Sequence, residues 1–490
     1  MLLSELINGD NGGVGHIEIS GLAADSRAVR PGYLFAALPG HRAEGTDFIA
    51  DAVAQGAVAV LAPTGTRLRF PKAEIKLLHD ANPRRRLAQF AAKFYAAQPQ
   101  HIAAVTGTNG KTSTVDFARQ MWLAMGLKAA SIGTLGVVGN EVSEPSTHTT
   151  PDPVTLHATL ARLATSGIDN LAIEASSHGL HQHRLDGVEV SAAAFTNLSR
   201  DHLDYHASAD RYLEAKLRLF EAVMDPGGVA VLNADSTEYE QLRKVCMARR
   251  HKVISYGRSG QDIRLRECRP FAAGQDMRVC IFGSRYEISL SLVGGFQADN
   301  VLCALGLVLA CGGDVESVLG VLPTLKGVPG RVEEVARHPC GASIYVDYAH
   351  TPNALDNVLE TLRQHTRRDL VVVFGCGGDR DRIKRGEMGR IAAAKADRVF
   401  ITDDNPRSED PARIRGSVLD ACPNAIEIGD RAEAIHAAVQ ELRSGDVLVV
   451  AGKGHETGQI VADKVIPFDD REVVRDSVAY IAATLQGSDK

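Results

Sequence analysis

Residues 101–126, HIAAVTGTNGKTSTVDFARQMWLAMG, form the segment that decides the fold of this chain. An apolar run typical of a buried strand leads into a loop at 107–112, and a helical pattern follows directly. In such a loop, glycines let backbone N–H groups close around phosphate oxygens, a lysine neutralises the outer phosphates and a threonine hydroxyl can ligate Mg²⁺. The segment predicts a phosphate-binding loop, although Val105 stands where the GxxxxGK[ST] spacing has its first glycine.

Short apolar runs separated by helical stretches extend this pattern along the chain. NLAIEASS, SAAAFTNLS, GGVAVLNAD and HKVISYG are typical of strands that are buried on both faces of a parallel sheet. Residues 262–294 alternate more and predict antiparallel strands at the edge of that sheet. FQADNVLCALGLVLACGG then predicts a buried helix that is closed by Gly312 and Gly313. After KGVPGR, a new α/β series begins with ASIYVDYA.

The length of 490 residues indicates about three domains at roughly 150 residues each. The first hundred residues predict a small α/β unit that includes a helix from Asn82 to about Ala97. We expect domain boundaries near residues 99 and 330, which gives the ranges 1–98, 99–329 and 330–490. The predicted fold class is α/β, with a small N-terminal α/β domain, a central parallel-sheet mononucleotide-binding domain of the P-loop ATPase type and a C-terminal Rossmann-like domain.

Composition and charge narrow the function classes. Because 54 Lys and Arg stand against 60 Asp and Glu, the formal charge of −6 argues against a nucleic-acid partner. No apolar run reaches the ~18 residues of a membrane span, and MLLSELINGDNGG does not resemble a secretory signal, so we expect a cytoplasmic protein. Eight scattered cysteines without a CxxC pair favour reduced, buried thiols.

Acidic and histidine residues follow two of the predicted strands. Glu174 ends a strand of the central sheet, where a carboxylate faces the crevice and is well placed to hold Mg²⁺. TNLSRDHLDYH then places Asp201, His202, Asp204 and His206 within six residues, and DRYLEAK follows. Taken alone, Glu174 is equally well explained as an exposed strand-end acid, and the Asp/His cluster is better explained as a solvated loop. Together with the phosphate loop they favour a metal-assisted site. No NKxD-type segment that would read guanine is present, which weakens a GTPase interpretation.

These motifs together resemble the Mur ligases, which add amino acids to the cytoplasmic peptidoglycan precursor at the expense of ATP. GTNGKT has the shortened GTxGK[TS] form of that family, which accounts for Val105 in place of glycine. The resemblance covers the whole length and is greatest to the members that add meso-diaminopimelate. It rests on ADSRAVRPGYLFAALPG, THTTPDP, EASSHGLHQHR, NLSRDHLDYH, YLEAK, GRVE, DYAHTP, GCGGDRD, DDNPR and AGKGHE.

The resemblance implies two cofactors, ATP and Mg²⁺, and a set of residues for each. The implied ATP-binding residues are Gly107, Thr108, Asn109, Gly110, Lys111, Thr112, Ser113, Asn300, Arg331 and Asp347. The implied metal ligands are Thr112, Glu174, His202 and Lys216, with Lys216 carbamylated so that an ammonium becomes an anionic ligand. Lys111, Glu174, His202 and Lys216 are the implied catalytic residues.

The resemblance to the Mur ligases also implies small-molecule substrates and a monomeric enzyme. Residues that match positions binding the UDP-MurNAc-L-Ala-D-Glu substrate are Ala24, Ser26, His41, Arg42, Ala43, Thr149, Thr150, Ser176, Gln182 and Arg184. Residues that match positions holding the incoming diaminopimelate are Arg380, Asp404, Asn405, Pro406, Arg407, Gly452 and Glu456. The chain departs from the family in Glu44-Gly45-Thr46-Asp47-Phe48, which has Thr46 and Asp47 between Gly and Phe and affects only the expected fit around the uridine domain.

The implied chemistry joins a carboxylate to an amine through an acyl phosphate, so no Ser/His/Asp or Cys/His nucleophile set is needed. Arg407 would bind the extra carboxylate of diaminopimelate and oppose the terminal ammonium of lysine. From the residues alone, an ordinary Asn-Pro turn is the better explanation of 404–407. A lysine-adding or folylpoly-γ-glutamate synthetase-like ligase, and a non-catalytic nucleotide-binding regulator, remain alternatives. The regulator requires Glu174, His202 and Lys216 to lie beyond about 10 Å from the phosphate loop.

Overall fold

The computed structural model describes residues 1–7, 16–40, 43–68, 75–140, 142–146, 148–271 and 274–488. Three sheets and a two-stranded hairpin are built from strands that are contiguous in sequence within each sheet. The expected α/β chain of three domains is confirmed. Among the described residues, no helix has both the length and the apolar character needed to cross a membrane.

The N-terminal domain contains a four-stranded parallel sheet in the order β1-β2-β3-β4. Its elements are α1 (Leu3–Ile7), β1 (Gly21–Ala23), β2 (Tyr33–Ala36), α2 (Ile49–Ala54), β3 (Ala59–Pro63), β4 (Lys76–Asp80) and α3 (Pro83–Tyr95). The Asn82 side chain accepts a hydrogen bond from the backbone N–H of Arg85 and so caps α3, while Ala96 ends it with a φ of 57°. The predicted helix at 82–97 is therefore confirmed to within two residues.

The central domain contains an eleven-stranded sheet in the order β15-β14-β13-β12-β11-β10-β5-β9-β6-β7-β8. Its strands are β5 (His101–Thr106), β6 (Ala129–Gly133), β7 (Gly136–Gly139), β8 (Ser143–Glu144), β9 (Asn170–Glu174), β10 (Val190–Phe195), β11 (Met224–Asn233), β12 (Lys252–Gly257), β13 (Ile263–Phe271), β14 (Gly274–Ile281) and β15 (Ser284–Leu290). The strands from β13 to β6 pair in parallel, whereas β13-β14-β15 and β6-β7-β8 are antiparallel. The antiparallel edge predicted at 262–294 is confirmed.

Helices cover both faces of this central sheet. They are α4 (Lys111–Ala124), α5 (Pro153–Thr165), α6 (Ser177–His181), α7 (Leu203–His206), α8 (Ala209–Arg218), α9 (Tyr239–Ala248), α10 (Gly295–Ala310) and α11 (Val315–Val321). One apolar cluster packs α4 and α10 against one face, and a second packs α5 and α9 against the other. The predicted helix that follows residue 294 is α10, and it is buried along most of its length.

The C-terminal domain contains a six-stranded sheet in the order β16-β17-β21-β18-β19-β20, parallel except for β16. Its strands are β16 (Glu333–Arg337), β17 (Ser343–Asp347), β18 (Leu370–Phe374), β19 (Arg398–Ile401), β20 (Ile426–Glu427) and β21 (Val447–Ala451), with the hairpin β22 (Gly458–Val461) and β23 (Lys464–Pro467). Its helices are α12 (Pro352–Arg363), α13 (Ile383–Lys395), α14 (Pro411–Leu419), α15 (Arg431–Gln440) and α16 (Asp470–Ser488).

Candidate active site

A cavity of about 800 Å³ lies where the ends of β5, β9 and β10 meet α12 of the C-terminal domain. It brings together many of the residues predicted for ATP, the metal and the UDP-linked substrate. Those lining it are Thr108, Asn109, Gly110, Lys111, Thr112, Ser113, Thr149, Glu174, Ser176, His202, Lys216, Asn300, Arg331 and Asp347. The ends of parallel strands are where α/β sheets place their ligands.

The phosphate loop connects β5 to α4 in the order that the sequence predicts. Gly107 and Gly110 have φ angles of 145° and 86°, and a Cβ at either would collide with Thr196 or Asn300. The Lys111 Nζ donates hydrogen bonds to the carbonyl oxygens of Gly107 at 3.0 Å and Thr108 at 2.7 Å. This contact curls the loop around the ammonium group at the N-terminus of α4.

Lys216 reaches the same loop from α8. Its side chain is almost fully buried, its Nζ donates to the carbonyl oxygen of Gly107 at 2.7 Å, and it lies 4.2 Å above the ring of Tyr212. Burial, assisted by the charge of Lys111, lowers the pKa of Lys216 well below its usual value, although Asp201 opposes the shift. The structure therefore favours a neutral amine at this position.

Glu174 and His202 line the same cavity as this lysine. Glu174 ends β9, and its carboxylate accepts hydrogen bonds from the backbone N–H of Thr134 at 2.7 Å and from the Thr134 hydroxyl at 3.2 Å. His202 has a positive φ of 52°, and its backbone N–H donates to Asp201 Oδ1 at 2.9 Å. Among the described residues, no three His, Cys, Asp or Glu side chains gather as a metal site. Of the four predicted metal ligands, only Glu174 and His202 are residues of these types, so the predicted set does not by itself form such a group.

Arg331 and Asp347 approach from the C-terminal domain. Arg331 donates from Nη2 to the Thr112 hydroxyl at 3.2 Å and stacks 4.3 Å from the ring of Tyr348. Asp347 accepts backbone N–H groups of Val332 and Ala349, each at 2.7 Å. Burial raises the pKa of Asp347 to about 6, against the opposing charge of Arg331. Two domains therefore contribute to one cavity.

Of the residues predicted to bind the UDP-linked substrate, Thr149 and Ser176 line this cavity. Thr150 links several of them, because its hydroxyl donates to the carbonyl of Glu174 at 2.7 Å and accepts from the backbone N–H of Ser176 at 3.0 Å. Arg184 donates to the Thr150 carbonyl at 2.6 Å and to Gln182 Oε1 at 2.8 Å. Ala24, Ser26 and Ala43 lie apart on the N-terminal domain, and His41 and Arg42 fall outside the described residues.

The residues predicted for the incoming amino acid form a second cluster that does not line the cavity. Asn405 Nδ2 donates to Glu456 Oε2 at 3.1 Å, while Asn405 Oδ1 accepts from the buried Lys453 Nζ at 2.9 Å. Arg407 has a φ of 53° and donates to the Gly378 carbonyl at 2.9 Å. Its pKa is lowered by burial and by the nearby Arg380.

The other three predicted members of this cluster are Asp404, Pro406 and Gly452. Gly452 has a φ of 119°, and a Cβ there would come within 2.5 Å of Asp404 Oδ2. The carbonyl of Pro406 packs against Gly378. The segment 404–407 is therefore more than a surface turn, because Asp404 and Asn405 are both buried.

Lys453 is a site residue that the sequence analysis did not single out, and Asp201 was named there only as part of the Asp/His cluster at 201–206. Burial would raise the pKa of Asp201, but His202, His350 and Lys384 hold it below its usual value. The position of Asp201 directly before His202 is the feature of the sequence that indicates its place in the site. His350 and Lys384 belong to the C-terminal domain, and no local pattern indicates that they approach Asp201.

Comparison with known protein families accounts for all three domains. Residues 18–95 match the model described as "Mur ligase family, catalytic domain", residues 105–308 match "Mur ligase middle domain", and residues 330–454 match "Mur ligase, glutamate ligase domain". A curated protein of Caulobacter vibrioides is 50% identical over 477 residues, which is 96% of each chain. The chain belongs to the Mur ligase family.

Further Mur ligases are similar over nearly the full length. A protein of Bradyrhizobium diazoefficiens is 49% identical over 98% of this chain and 99% of its own. It and the Caulobacter protein are both named UDP-N-acetylmuramoyl-L-alanyl-D-glutamate–2,6-diaminopimelate ligase. A solved structure of a ligase with that name is 32% identical, with a TM-score of 0.71, over 98% of this chain and 99% of that one. The predicted family and fold class are confirmed.

Proposed function

We propose that this Mur ligase adds meso-2,6-diaminopimelate to the D-Glu side-chain carboxylate of UDP-MurNAc-L-Ala-D-Glu, with hydrolysis of ATP to ADP and phosphate. The observation that carries the proposal is the convergence of Lys111, Lys216, Glu174 and Arg331 on one cavity beside the phosphate loop. The names of relatives with about 50% identity support the substrates. A non-catalytic regulator gives no reason for a buried lysine 2.7 Å from the loop.

The reaction joins two groups that do not react directly, because a free carboxylate resists attack by an amine. We propose that the D-Glu carboxylate attacks the γ-phosphate of ATP to give an acyl phosphate and ADP. The amine of diaminopimelate then displaces phosphate, and the peptide bond forms. Lys111, the N-terminus of α4 and Arg331 offset the negative charge that gathers as the carboxylate approaches the phosphate.

The donor set beside the loop fits Mg²⁺ once Lys216 is carbamylated. A neutral amine attacks CO₂, an N–C bond forms and one proton is released, which leaves a carbamate whose single negative charge is shared by two oxygens. The lowered pKa of Lys216 favours the amine that this step needs. Thr112, Glu174, His202 and the carbamate would then hold the ion, and its charge would stabilise the transferring phosphoryl group.

Diaminopimelate differs from lysine in having a carboxylate beside its distal amino group. Burial and the nearby charge of Arg380 lower the pKa of Arg407, and an anion bound between the two guanidinium groups would offset both effects. Asp404 and Glu456 supply negative charge for the neighbouring ammonium. We propose that these four side chains bind the distal zwitterion and so select diaminopimelate over lysine.

The remaining assignments are supported by the family relationship. We propose that Ala24, Ser26, His41, Arg42 and Ala43 bind the uridine part of the substrate. The proposed domain ranges of 1–98, 99–329 and 330–490 contain the three segments that match the family models. A cytoplasmic setting, in which ATP is available, and a monomeric state remain predictions.

The decisive experiment measures phosphate release from ATP with Mg²⁺ and UDP-MurNAc-L-Ala-D-Glu, and compares meso-diaminopimelate with L-lysine. We expect turnover that requires all three substrates and prefers diaminopimelate by at least tenfold in kcat/KM. Equal turnover with lysine would remove the proposed specificity. Phosphate release that responds to a folate instead of the UDP-linked dipeptide would support the folylpoly-γ-glutamate synthetase alternative.

A further inference from the structure

A fully buried lysine lies behind the residues proposed to hold diaminopimelate. Lys453 stands two residues beyond the end of β21 and is 0% exposed. Its Nζ donates hydrogen bonds to Asn405 Oδ1 at 2.9 Å and to the Gly458 carbonyl oxygen at 2.8 Å, and it lies 3.6 Å from Glu456 Oε2. Three segments that are separate in sequence therefore meet on one amine: the end of β21, the residues 404–407 that follow β19 and the start of the hairpin β22–β23.

The orientation of the Asn405 amide depends on this amine. Its oxygen Oδ1 accepts from Lys453 Nζ and from the backbone N–H of Ile460 at 2.9 Å, so two donors hold the oxygen on that side. The amide nitrogen Nδ2 is thereby directed to Glu456 Oε2 at 3.1 Å. If the amide turned over, Nδ2 would face both donors and the oxygen would face the Glu456 carboxylate. Removing the Lys453 amine takes away one of the two donors that oppose this turn.

The hairpin that Lys453 contacts also sets the backbone of Arg407. Arg407 has a φ of 53°, a left-handed conformation that residues other than glycine rarely adopt. Its backbone N–H donates to the Ile460 carbonyl oxygen at 3.0 Å, and its carbonyl oxygen accepts from the Ala462 N–H at 2.8 Å. Because Gly458 begins the strand that contains Ile460, the hydrogen bond from Lys453 holds this strand beside the end of β21. The direction of the Arg407 side chain therefore depends on the same lysine.

Packing alone does not account for an amine at this position. An apolar side chain of the same length, such as that of methionine, would fill the space without the cost of burying a polar group. Burial lowers the pKa of Lys453, and the charge of Asp404 opposes this shift. A neutral amine still has two N–H groups, so the hydrogen bonds to Asn405 and Gly458 form in either protonation state.

We propose that Lys453 is a positioning residue, which directs Glu456 through Asn405 and Arg407 through the hairpin so that both face the distal group of the incoming amino acid. The inference rests on the proposed function, in which Glu456 and Arg407 bind that group. Lys453 does not line the cavity beside the phosphate loop, so it has no direct part in phosphoryl transfer. Its loss should weaken binding of the amino acid and leave the affinity for ATP unchanged.

The test is a double-variant cycle on steady-state constants, measured with the full chain. Lys453→Met, Asn405→Leu and the variant with both changes are compared with the wild type. We expect each single change to raise the KM for diaminopimelate about ten to a hundredfold, with kcat and the KM for ATP within about threefold of the wild type. The rise in the double variant should fall well below the product of the two single effects, because Lys453 acts in part through Asn405. Lys453→Met should also lose part of the preference for diaminopimelate over L-lysine.

A matched control and a second variant separate this role from loss of folding. Lys464→Met removes an exposed lysine of the same hairpin and should leave every constant unchanged. The thermal unfolding midpoint and the affinity for ADP show whether each variant is folded. If Lys453→Met does not fold, Lys453→Gln replaces it: its side chain is one bond shorter and cannot keep both hydrogen bonds, so the KM for diaminopimelate should still rise by at least about threefold.

The inference is overturned if the folded variant at Lys453 keeps the wild-type KM for the amino acid. It is also overturned if kcat or the KM for ATP changes as much as that KM, or if the two single effects multiply in the double variant. A wild type that prefers L-lysine would contradict the proposed function alone, and the KM for lysine in the same variants would then decide the role of Lys453.

Discussion

Lys216 Nζ donates to the Gly107 carbonyl across 2.7 Å, so the buried lysine of α8 and the first glycine of the phosphate loop are in direct contact. The loop also holds Lys111 through the same carbonyl oxygen at 3.0 Å. Burial lowers the pKa of Lys216, and the charge of Lys111, which shares its acceptor in the same cavity, lowers that pKa further. The same arrangement that makes Lys216 a poor cation makes it a good site for reaction with CO₂.

Removing the Lys216 amine should therefore abolish ligation without abolishing nucleotide binding. We expect Lys216→Met and Lys216→Arg to lower kcat by about a hundredfold or more, the scale of losing a group that stabilises charge in the transition state. Carbon NMR with labelled bicarbonate should detect a carbamate in the wild type and none in Lys216→Arg. Lys244→Met, an exposed lysine on α9, is the matched control. Full activity in Lys216→Met would contradict the assignment.

Arg407 should determine the affinity for the amino acid and leave that for ATP unchanged. Its guanidinium lies outside the ATP cavity and donates to the Gly378 carbonyl beside Arg380. We expect Arg407→Ala to raise the KM for diaminopimelate about ten to a hundredfold, the value of a charge-assisted hydrogen bond. Arg407→Lys should recover little, because an ammonium lacks the planar fork that pairs with a carboxylate.

The control for that experiment is Arg413→Ala, on α14, which removes an exposed arginine whose partner is Asp410. Steady-state KM values for the amino acid, ATP and the UDP-linked substrate are measured for each protein. Unchanged KM values in Arg407→Ala would show that this side chain does not contact the substrate. A parallel rise in the KM for ATP would point to a distorted C-terminal domain.

Local sequence patterns predicted the strands, turns and helix ends that depend on residues close together in the chain. The strand, loop and helix at 101–124 form as expected because apolar runs, two positive-φ glycines and a lysine at the helix start are all local features. Asn82 caps α3 for the same reason. The short strands β7 and β8 were not predicted, since GVVG and Ser143–Glu144 have too little apolar character and form only as extensions of β6.

The site was harder to predict wherever it depends on contact between domains. Glu174 and His202 follow strands of one sheet, so their approach to the loop follows from topology. The effect of His350 and Lys384 on Asp201 requires the C-terminal domain to lie against that loop, and no spacing in the sequence reports it.

His157 should make stability fall in mild acid. It is buried in α5, its Nε2 lies 3.2 Å from the carbonyl oxygen of Asp186, and burial lowers its pKa to about 4. Its folded pKa lies below the unfolded value of 6.5, so the unfolded chain takes up the proton first. Stability is therefore present above pH 6.5 and is lost as the pH falls toward 4, by about 3 kcal/mol over that range.

Replacing His157 with a residue that does not titrate should flatten this part of the pH dependence. Urea unfolding of the wild type and His157→Gln between pH 7 and pH 4 measures the difference in slope. His79→Gln, which changes an exposed histidine on β4, serves as the comparison. The prediction fails if His157→Gln and the wild type lose stability in parallel, whatever their absolute difference at pH 7.

Arg200 should couple the residues that would hold diaminopimelate to the loop that carries His202. It stands two residues before His202, and its guanidinium lies 3.1 Å from Asp381 and 3.5 Å from Glu387 of the C-terminal domain. Asp381 follows Arg380, so this ion pair ties the loop that would hold diaminopimelate to the loop that carries His202. Arg200→Ala should lower kcat about three to tenfold and raise the KM for diaminopimelate, because the two domains then meet less often in the productive arrangement.

Salt provides an independent check on this ion pair, because Arg200 is 37% exposed and its charge is open to screening. Adding about 0.5 M NaCl should reduce kcat in the wild type toward that of Arg200→Ala and have a smaller effect on the variant. The double variant Arg200→Ala with Asp381→Asn should be no slower than Arg200→Ala alone, since the second change removes a partner already lost. Additive losses in the double variant would mean that Arg200 and Asp381 act separately, and that the domains are coupled by other contacts such as Asn109 with Asn353 at 3.2 Å.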